Sequence, residues 1–452
     1  MFEFGRELKR LFGGDAIAPN RDGLTQGDGA LAELLPLSML LAEAKAADVA
    51  AGRIGEKDRA ARELHAAGLW REVARRSGDA VALRKAAATA EGAAARFLAE
   101  RRGEGRARAR IEQARCAMLG AELFGDDGLE AAAETTFADA RGGGAATTAL
   151  AEAGLATIAA RRLLGAGEAA AVRAAVRAFE GPIAVLDEGG RRWPTLRIAA
   201  AEARAARADL LSGAGQRLKD ADLAREAVSM LEDALARLDP AYEPMTWARL
   251  DGQRAAAKVA LGELSGDIGL IADAVAALAD ALDGQPRDHS PLDWARSQAA
   301  LALGLQSLGE AGLNEQAFEK AVTCFDRAAH ALKRAPGLAL RAVVASNRAI
   351  CLARSAELTG DLAVLDAAEL AFKGELAEGP HRRDPIAWAL IQVHLGRLYE
   401  ARMAITGRDL GERAAAAVAF DAALDVFADQ GLRSLADVAA QGLERIRAYS
   451  VA

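Results

Sequence analysis

Small and apolar residues recur along this chain at intervals of four and then three positions, which places them on one face of a helix. The recurring triplet is Ala, then Phe or Leu, then Ala. Full copies are Ala133/Phe137/Ala140, Ala227/Leu231/Ala234, Ala274/Leu278/Ala281, Ala321/Phe325/Ala328 and Ala416/Phe420/Ala423. Shorter or all-alanine copies are Ala175/Phe179, Ala368/Phe372 and Ala86/Ala90/Ala93. Successive first alanines are spaced by 47, 42, 52, 47, 47, 47 and 48 residues, so the pattern predicts one such helix in every repeated unit.

Two further landmarks keep the same register. Eight residues before the first Ala stands a Gly followed by an acidic residue, at Gly78, Gly125, Gly167, Gly266 and Gly360. Gly readily adopts the left-handed backbone conformation that ends one helix, and the Asp after it can cap the start of the next helix. Gly312 and Gly407 lie one residue outside this register, which predicts slightly altered turns. Pro244, Pro291 and Pro385 each precede a Trp by three residues and predict the start of the first helix of a unit.

These signals predict an all-α fold, a right-handed α-solenoid of about eight antiparallel helix pairs of ~47 residues each. We expect the repeats to span residues 56–448 of a solenoid that covers 30–452. Residues 30–55 would form an N-terminal capping helix with Pro36 in its first turns, and a last helix from Leu435 would close the stack. Residues 1–29 would form an amphipathic segment with a flexible linker, and the stability of the solenoid would depend mostly on contacts between neighbouring pairs.

Composition narrows the class of protein. Hydrophobic residues make up 52 % of the chain but aromatic residues only 4 %, which disfavours an extensive β-sheet. The net charge of −7 and mixed charges argue against nucleic-acid binding. Three scattered cysteines fit a reducing compartment. With no targeting segment and no membrane span in the sequence, we expect a cytoplasmic protein.

The repeated residues resemble the tetratricopeptide repeat family. The last unit reads Leu395-Gly396-x-x-Tyr399 and then Ala416-x-x-x-Phe420-x-x-Ala423, and the unit at Trp294 is similar. The usual repeat has about 34 residues, whereas this one has about 47. Long units that open Trp-Ala-x-x-Gln, as at Trp294 and Trp388, resemble bacterial arrays that accompany caspase-like protease modules. The resemblance implies a protein-binding superhelix whose first helices line a groove, where Gln306, Arg397 and Glu400 would lie.

Signals for catalysis or for a cofactor are absent from the sequence. The five histidines show no HExxH spacing, and there is no GxxxxGK loop or G-x-S-x-G turn. We therefore expect no enzyme activity, no metal and no cofactor. The leading hypothesis is a scaffold or adaptor that binds peptide or helix segments of partner proteins. The alternative is a regulatory or substrate-recognition subunit of an enzyme system, protease-linked or membrane-associated, with catalysis on another chain.

The N-terminal segment offers a second set of candidate partner-binding residues. Phe4, Leu8, Leu11 and Phe12 share one helix face, with basic residues elsewhere on the same stretch. Three interpretations stay open: docking on the solenoid, binding to a partner protein, and weak attachment to a membrane surface.

Overall fold

The computed structural model describes residues 32–53, 58–164, 168–283, 285–333, 335, 337–377, 385–430 and 432–448. Nineteen α-helices and no β-strand occur in these ranges, so the all-α prediction is confirmed. The first ten are α1 Leu37–Ala51, α2 Arg59–Ser77, α3 Ala80–Ala99, α4 Gly103–Phe124, α5 Asp127–Asp139, α6 Ala145–Leu163, α7 Ala169–Ala178, α8 Glu180–Gly190, α9 Pro194–Leu218 and α10 Ala221–Ala236. The remaining nine are α11 Pro244–Ser265, α12 Ile268–Asp283, α13 Pro291–Gly312, α14 Glu315–Leu332, α15 Ala339–Thr359, α16 Leu362–Ala377, α17 Pro385–Thr406, α18 Glu412–Asp429 and α19 Arg433–Ala448.

The helices form eight successive pairs, with α1 before them and α19 after them. The pairs are α2/α3, α4/α5, α6/α7, α9/α10, α11/α12, α13/α14, α15/α16 and α17/α18. In the third pair the second helix is interrupted at Phe179, and α8 follows as an extra helix. This insertion accounts for the longest spacing, 52 residues, between the triplet alanines. The first helices α2, α4, α6, α9 and α11 contact one another in that order, as expected for stacked pairs.

The predicted Gly-acidic turns are present wherever the structure describes both residues. Gly78, Gly125, Gly266 and Gly360 have φ between 66° and 72°, in the left-handed region. The Asp that follows caps the next helix, as when Asp79 accepts a hydrogen bond from the Val81 N–H at 2.7 Å. Gly167 lies outside the described residues.

Two further turns have the same geometry without glycine at the register position. Lys219 has φ 57° and Leu313 has φ 49°, and each is followed by an N-cap residue, Asp220 or Asn314. The expectation of an altered turn at Gly312 was wrong, because Leu313 itself takes the left-handed conformation.

The triplets form the core. Phe137, Phe325, Phe372 and Phe420 are at most 2 % exposed. Glycines on neighbouring helices leave room for two of these rings, Gly154 for Phe137 and Gly396 with Gly442 for Phe420. Phe420 shows this most clearly: a Cβ added to Gly396 or Gly442 would lie 2.7 or 2.6 Å from its ring.

Helix α1 begins immediately after Pro36, whose ψ of 153° is extended. Pro36 therefore precedes the helix instead of lying in its first turns as expected. Residues 32–34 form a separate short turn before it.

The helices divide into two compact units, one of residues 1–300 with 331–339 and the other of residues 301–330 with 340–452. Within the first unit, contacts join helices far apart in sequence. The backbone N–H and hydroxyl of Thr246 each donate to the Glu33 carboxylate at 2.8 Å. The Arg75 guanidinium donates to Asp293 at 2.9 Å across 218 positions. This unit thus has contacts beyond the nearest-neighbour stacking that the sequence predicted.

Candidate functional site

An open groove in the second compact unit contains two of the residues that the sequence singled out. It has a volume of about 640 Å³ and lies along α15 and α17, the first helices of their pairs, and along the closing helix α19. The lining side chains are Arg354, Glu357, Arg397, Glu400, Ala401, Ala404, Ile405 and Arg445. We call this feature the Arg397 groove. It has a charged rim and, on α17, an apolar strip of Ala401, Ala404 and Ile405.

Two of the three arginines in the Arg397 groove are held by carboxylates. Arg445 donates two hydrogen bonds to Glu400, at 3.0 and 2.9 Å, in the bidentate arrangement that fixes a guanidinium plane. Arg354 donates to Glu357 at 2.6 Å. The positions of both rim arginines are therefore set before any ligand arrives.

Arg397 is the third arginine and is placed differently. Among the residues that the structure describes, it has no carboxylate within ion-pair distance and no hydrogen-bond acceptor for its guanidinium. Partial burial, with the nearby charges of Arg354 and Arg445, lowers the pKa of Arg397, while Glu357 and Glu400 oppose that shift. An incoming carboxylate stabilises a partly buried guanidinium that lies near other cations more than it stabilises a fully solvated one.

Gln306 lies on α13 and does not line the groove. Its amide nitrogen donates to Glu310 at 3.1 Å, and Glu310 lies 3.9 Å from the Arg354 guanidinium. Among the described residues, Glu310 is what connects Gln306 to the groove. Its amide oxygen is buried and has no partner among the described residues.

His394 lies beneath this face, where its imidazole stacks on Phe372 with ring centres 5.8 Å apart. Burial and the charges of Arg397 and Arg354 lower the pKa of His394 to about 4, so it is neutral at pH 7.

Sequence reasoning missed Arg354, Glu357 and Arg445. Helix α15 lacks the Pro-x-x-Trp start that located α11, α13 and α17, and α19 was interpreted only as a closing helix. One signal was present, because Glu357 follows Glu310 by one repeat of 47 residues. The other candidates, Phe4, Leu8, Leu11 and Phe12, lie outside the described residues.

No helix in the described part of the chain combines the length and apolarity needed to cross a bilayer. No protein-family model matches the sequence, and no curated protein matches it.

Similar solved structures are helical-repeat proteins at low identity. A Rap protein complexed with competence and sporulation factor is 12 % identical over 86 % of this chain and 98 % of that chain, with a TM-score of 0.49. The human IFIT1 dimer with PPP-AAAA is 11 % identical over 98 % of both chains, with a TM-score of 0.41. Aspartyl phosphate phosphatase F from Bacillus subtilis is 13 % identical over 85 % and 94 %, with a TM-score of 0.38. At these identities and TM-scores the likeness assigns neither a family nor a role, and the all-α architecture of repeated helix pairs rests on the helices described above.

Proposed function

We propose that this chain is a non-enzymatic scaffold that binds an acidic segment of a partner protein in the Arg397 groove. The observation that carries the proposal is Arg397, a partly buried guanidinium without an anionic partner among the described residues, flanked by Arg354 and Arg445. An Asp or Glu side chain of a bound segment would supply the missing carboxylate. Charge-assisted hydrogen bonds of this kind are worth about 1.5–3 kcal/mol each.

The form of the groove favours a peptide over a compact ligand. It is open along neighbouring parallel helices, the arrangement in which an extended segment or a helix lies in a helical-repeat protein. Ala401, Ala404 and Ile405 offer a narrow apolar strip beside the charged rim. A segment that pairs an acidic residue with an apolar one a turn away would match both features.

The test is selection of peptides from a random display library with the purified full chain, followed by affinity measurements on the selected peptides. We expect enrichment of acidic residues, and at least a tenfold loss of affinity in Arg397→Glu. Arg327→Glu is the matched control, because Arg327 is exposed on the second helix α14, away from the groove.

The proposal would be contradicted if the selected peptides lacked acidic residues, or if Arg397→Glu and the wild type bound them with equal affinity. Affinity purification from cells addresses the alternative class. Recovery of several clients through acidic segments supports a scaffold, whereas recovery of a single stoichiometric enzyme would instead make the chain a subunit of that enzyme.

A further inference from the structure

Two neighbouring cavities lie inside the first compact unit, among its first helices. Their volumes are about 390 and 530 Å³. The two cavities have a common wall, which is formed by Arg71, Arg115, Leu150, Glu202 and Arg249. We call the two together the inner chamber. Its size lies in the range of cavities that hold small organic ligands.

Most charges around the inner chamber are closely paired. The Arg71 guanidinium donates to Glu112 at 2.5 Å, and Arg75 donates to Glu72 at 2.6 Å and to Asp293 at 2.9 Å. These pairs are short because both partners are fixed on packed helices. They leave no charge open to a ligand.

Arg115 and Arg249, which line both cavities, are paired less closely. Both approach the single carboxylate of Glu202, and each lies 3.4 Å from it, longer than the 2.7–2.9 Å typical of a charge-assisted bond. Arg249 also donates to the Thr246 hydroxyl at 3.0 Å, but its Nη1 is buried and has no hydrogen-bond partner among the described residues. The two guanidiniums thus have Glu202 as a shared ion-pair partner, while the charges of Glu72 and Asp293 also act on Arg249 from further away.

The wall beside these arginines is apolar. In the smaller cavity, Ile111, Leu150, Trp193, Leu196 and Ile198 line the space next to Arg115 and Arg249. Ile111 and Leu196 are at most 4 % exposed and belong to the packed core, so this wall is rigid. A cationic end and an apolar wall within one chamber suit a ligand with the same two parts.

We propose that the inner chamber binds a small amphipathic organic anion. Its carboxylate or phosphate head lies against the guanidiniums of Arg115 and Arg249. Its apolar body lies against Leu150, Trp193 and Leu196. A macromolecular partner is not implied, because the ligand lies among the first helices within one compact unit.

The test uses 8-anilinonaphthalene-1-sulfonate, a fluorescent aromatic anion, titrated into the full chain at neutral pH. We expect about one site per chain, and at least a tenfold weaker Kd in Arg249→Gln because one of the two cations that face the head group is lost. Arg254→Gln is the control: Arg254 is on the same helix α11, pairs with Asp251 at 2.6 Å and does not line the chamber. Competition with octanoate and with octyl phosphate then identifies the preferred head group.

A second variant separates ligand contact from a folding defect. Ala146 lines the smaller cavity, so Ala146→Leu fills the apolar half and keeps both arginines. We expect it to abolish dye binding while its thermal melting curve stays cooperative. The proposal would be overturned if either chamber variant bound the dye with wild-type affinity. It would also be overturned if Arg254→Gln weakened dye binding as much as Arg249→Gln does, or if neither octanoate nor octyl phosphate displaced the dye. Arg397→Glu should leave dye binding unchanged, so this inference and the proposed peptide function fail independently.

Discussion

At the scale of the residue, Leu313 occupies a backbone conformation that costs an L side chain about 1–2 kcal/mol. Its φ is 49°, and its side chain is 74 % exposed, so packing of the side chain offsets little of the backbone strain. We predict that Leu313→Gly raises the free energy of unfolding by about 0.5–1 kcal/mol, because the gain in the turn exceeds the entropy that Gly adds to the unfolded chain. Denaturant unfolding measures the change.

Leu410→Gly is the matched control. Leu410 is 84 % exposed but does not have a positive φ. Because Leu410 has no left-handed backbone strain for Gly to remove, the variant should be as stable as the wild type or slightly less stable. Equal stabilisation by both substitutions would contradict the assignment of strain to Leu313.

His394 gives a pH dependence with a definite sign. The pKa of His394 is about 4 in the folded chain, against about 6.5 when unfolded, so only the unfolded state gains a proton between these values. Stability should therefore fall as the pH decreases from 6.5 to 4, by about 2–3 kcal/mol from this residue. His394→Gln should flatten that part of the curve of unfolding free energy against pH. An unchanged slope would mean that the imidazole is protonated in the fold.

At the scale of the element, the contact of α17, α18 and α19 depends on the absence of two side chains. Ala is favoured over Gly inside a helix by about 1 kcal/mol. Gly442→Ala should nevertheless destabilise the protein by about 1–3 kcal/mol, because the new Cβ would lie 2.6 Å from the Phe420 ring. Adding Phe420→Leu should recover part of the loss, which thermal melting of the single and double variants can measure.

Gly374 in α16 provides the comparison, since a Cβ there would meet no atom within 4 Å. Gly374→Ala should stabilise the protein by about 0.5–1 kcal/mol through helix propensity alone. A stabilising Gly442→Ala would show that helix propensity outweighs the contact with Phe420.

At the scale of the whole molecule, Asp293 links the first unit across 218 positions through Arg75. Burial alone would raise the pKa of Asp293, but Arg75, Arg249 and Arg296 lower it to about 2. Asp293→Asn should cost about 3 kcal/mol, because Arg75 stays buried with one fewer counter-charge. Hydrogen exchange should accelerate in residues 59–77 and 291–300 together, but not in α17 and α18. Asp326→Asn, which breaks an exposed pair with Arg348, should change stability by less than about 0.5 kcal/mol. Faster hydrogen exchange in residues 291–300 alone, with no change in 59–77, would show that the Asp293 side chain does not stabilise α2.

The sequence predicted the helices, their pairing and the buried triplets, because these depend on local periodicity. Lys219 and Leu313 escaped prediction because their left-handed turns are imposed by the surrounding helices and not by their own preferences. At the candidate site, Arg397 and Glu400 were predicted from the family resemblance, and the structure places both in the Arg397 groove. The carboxylate that binds Arg445, and the missing partner of Arg397, depend on distances between helices that no spacing in the sequence encodes.

The bond between Arg75 and Asp293 also has a consequence for the growing polypeptide. A ribosome adds about 5–20 residues per second, so roughly 10–40 s pass between synthesis of the two residues. During that interval α2 and α3 can pair, while Arg75 still lacks the partner on α13. The nascent chain therefore exposes the Arg75 side of α2 to solvent for tens of seconds, a period in which chaperones can bind it.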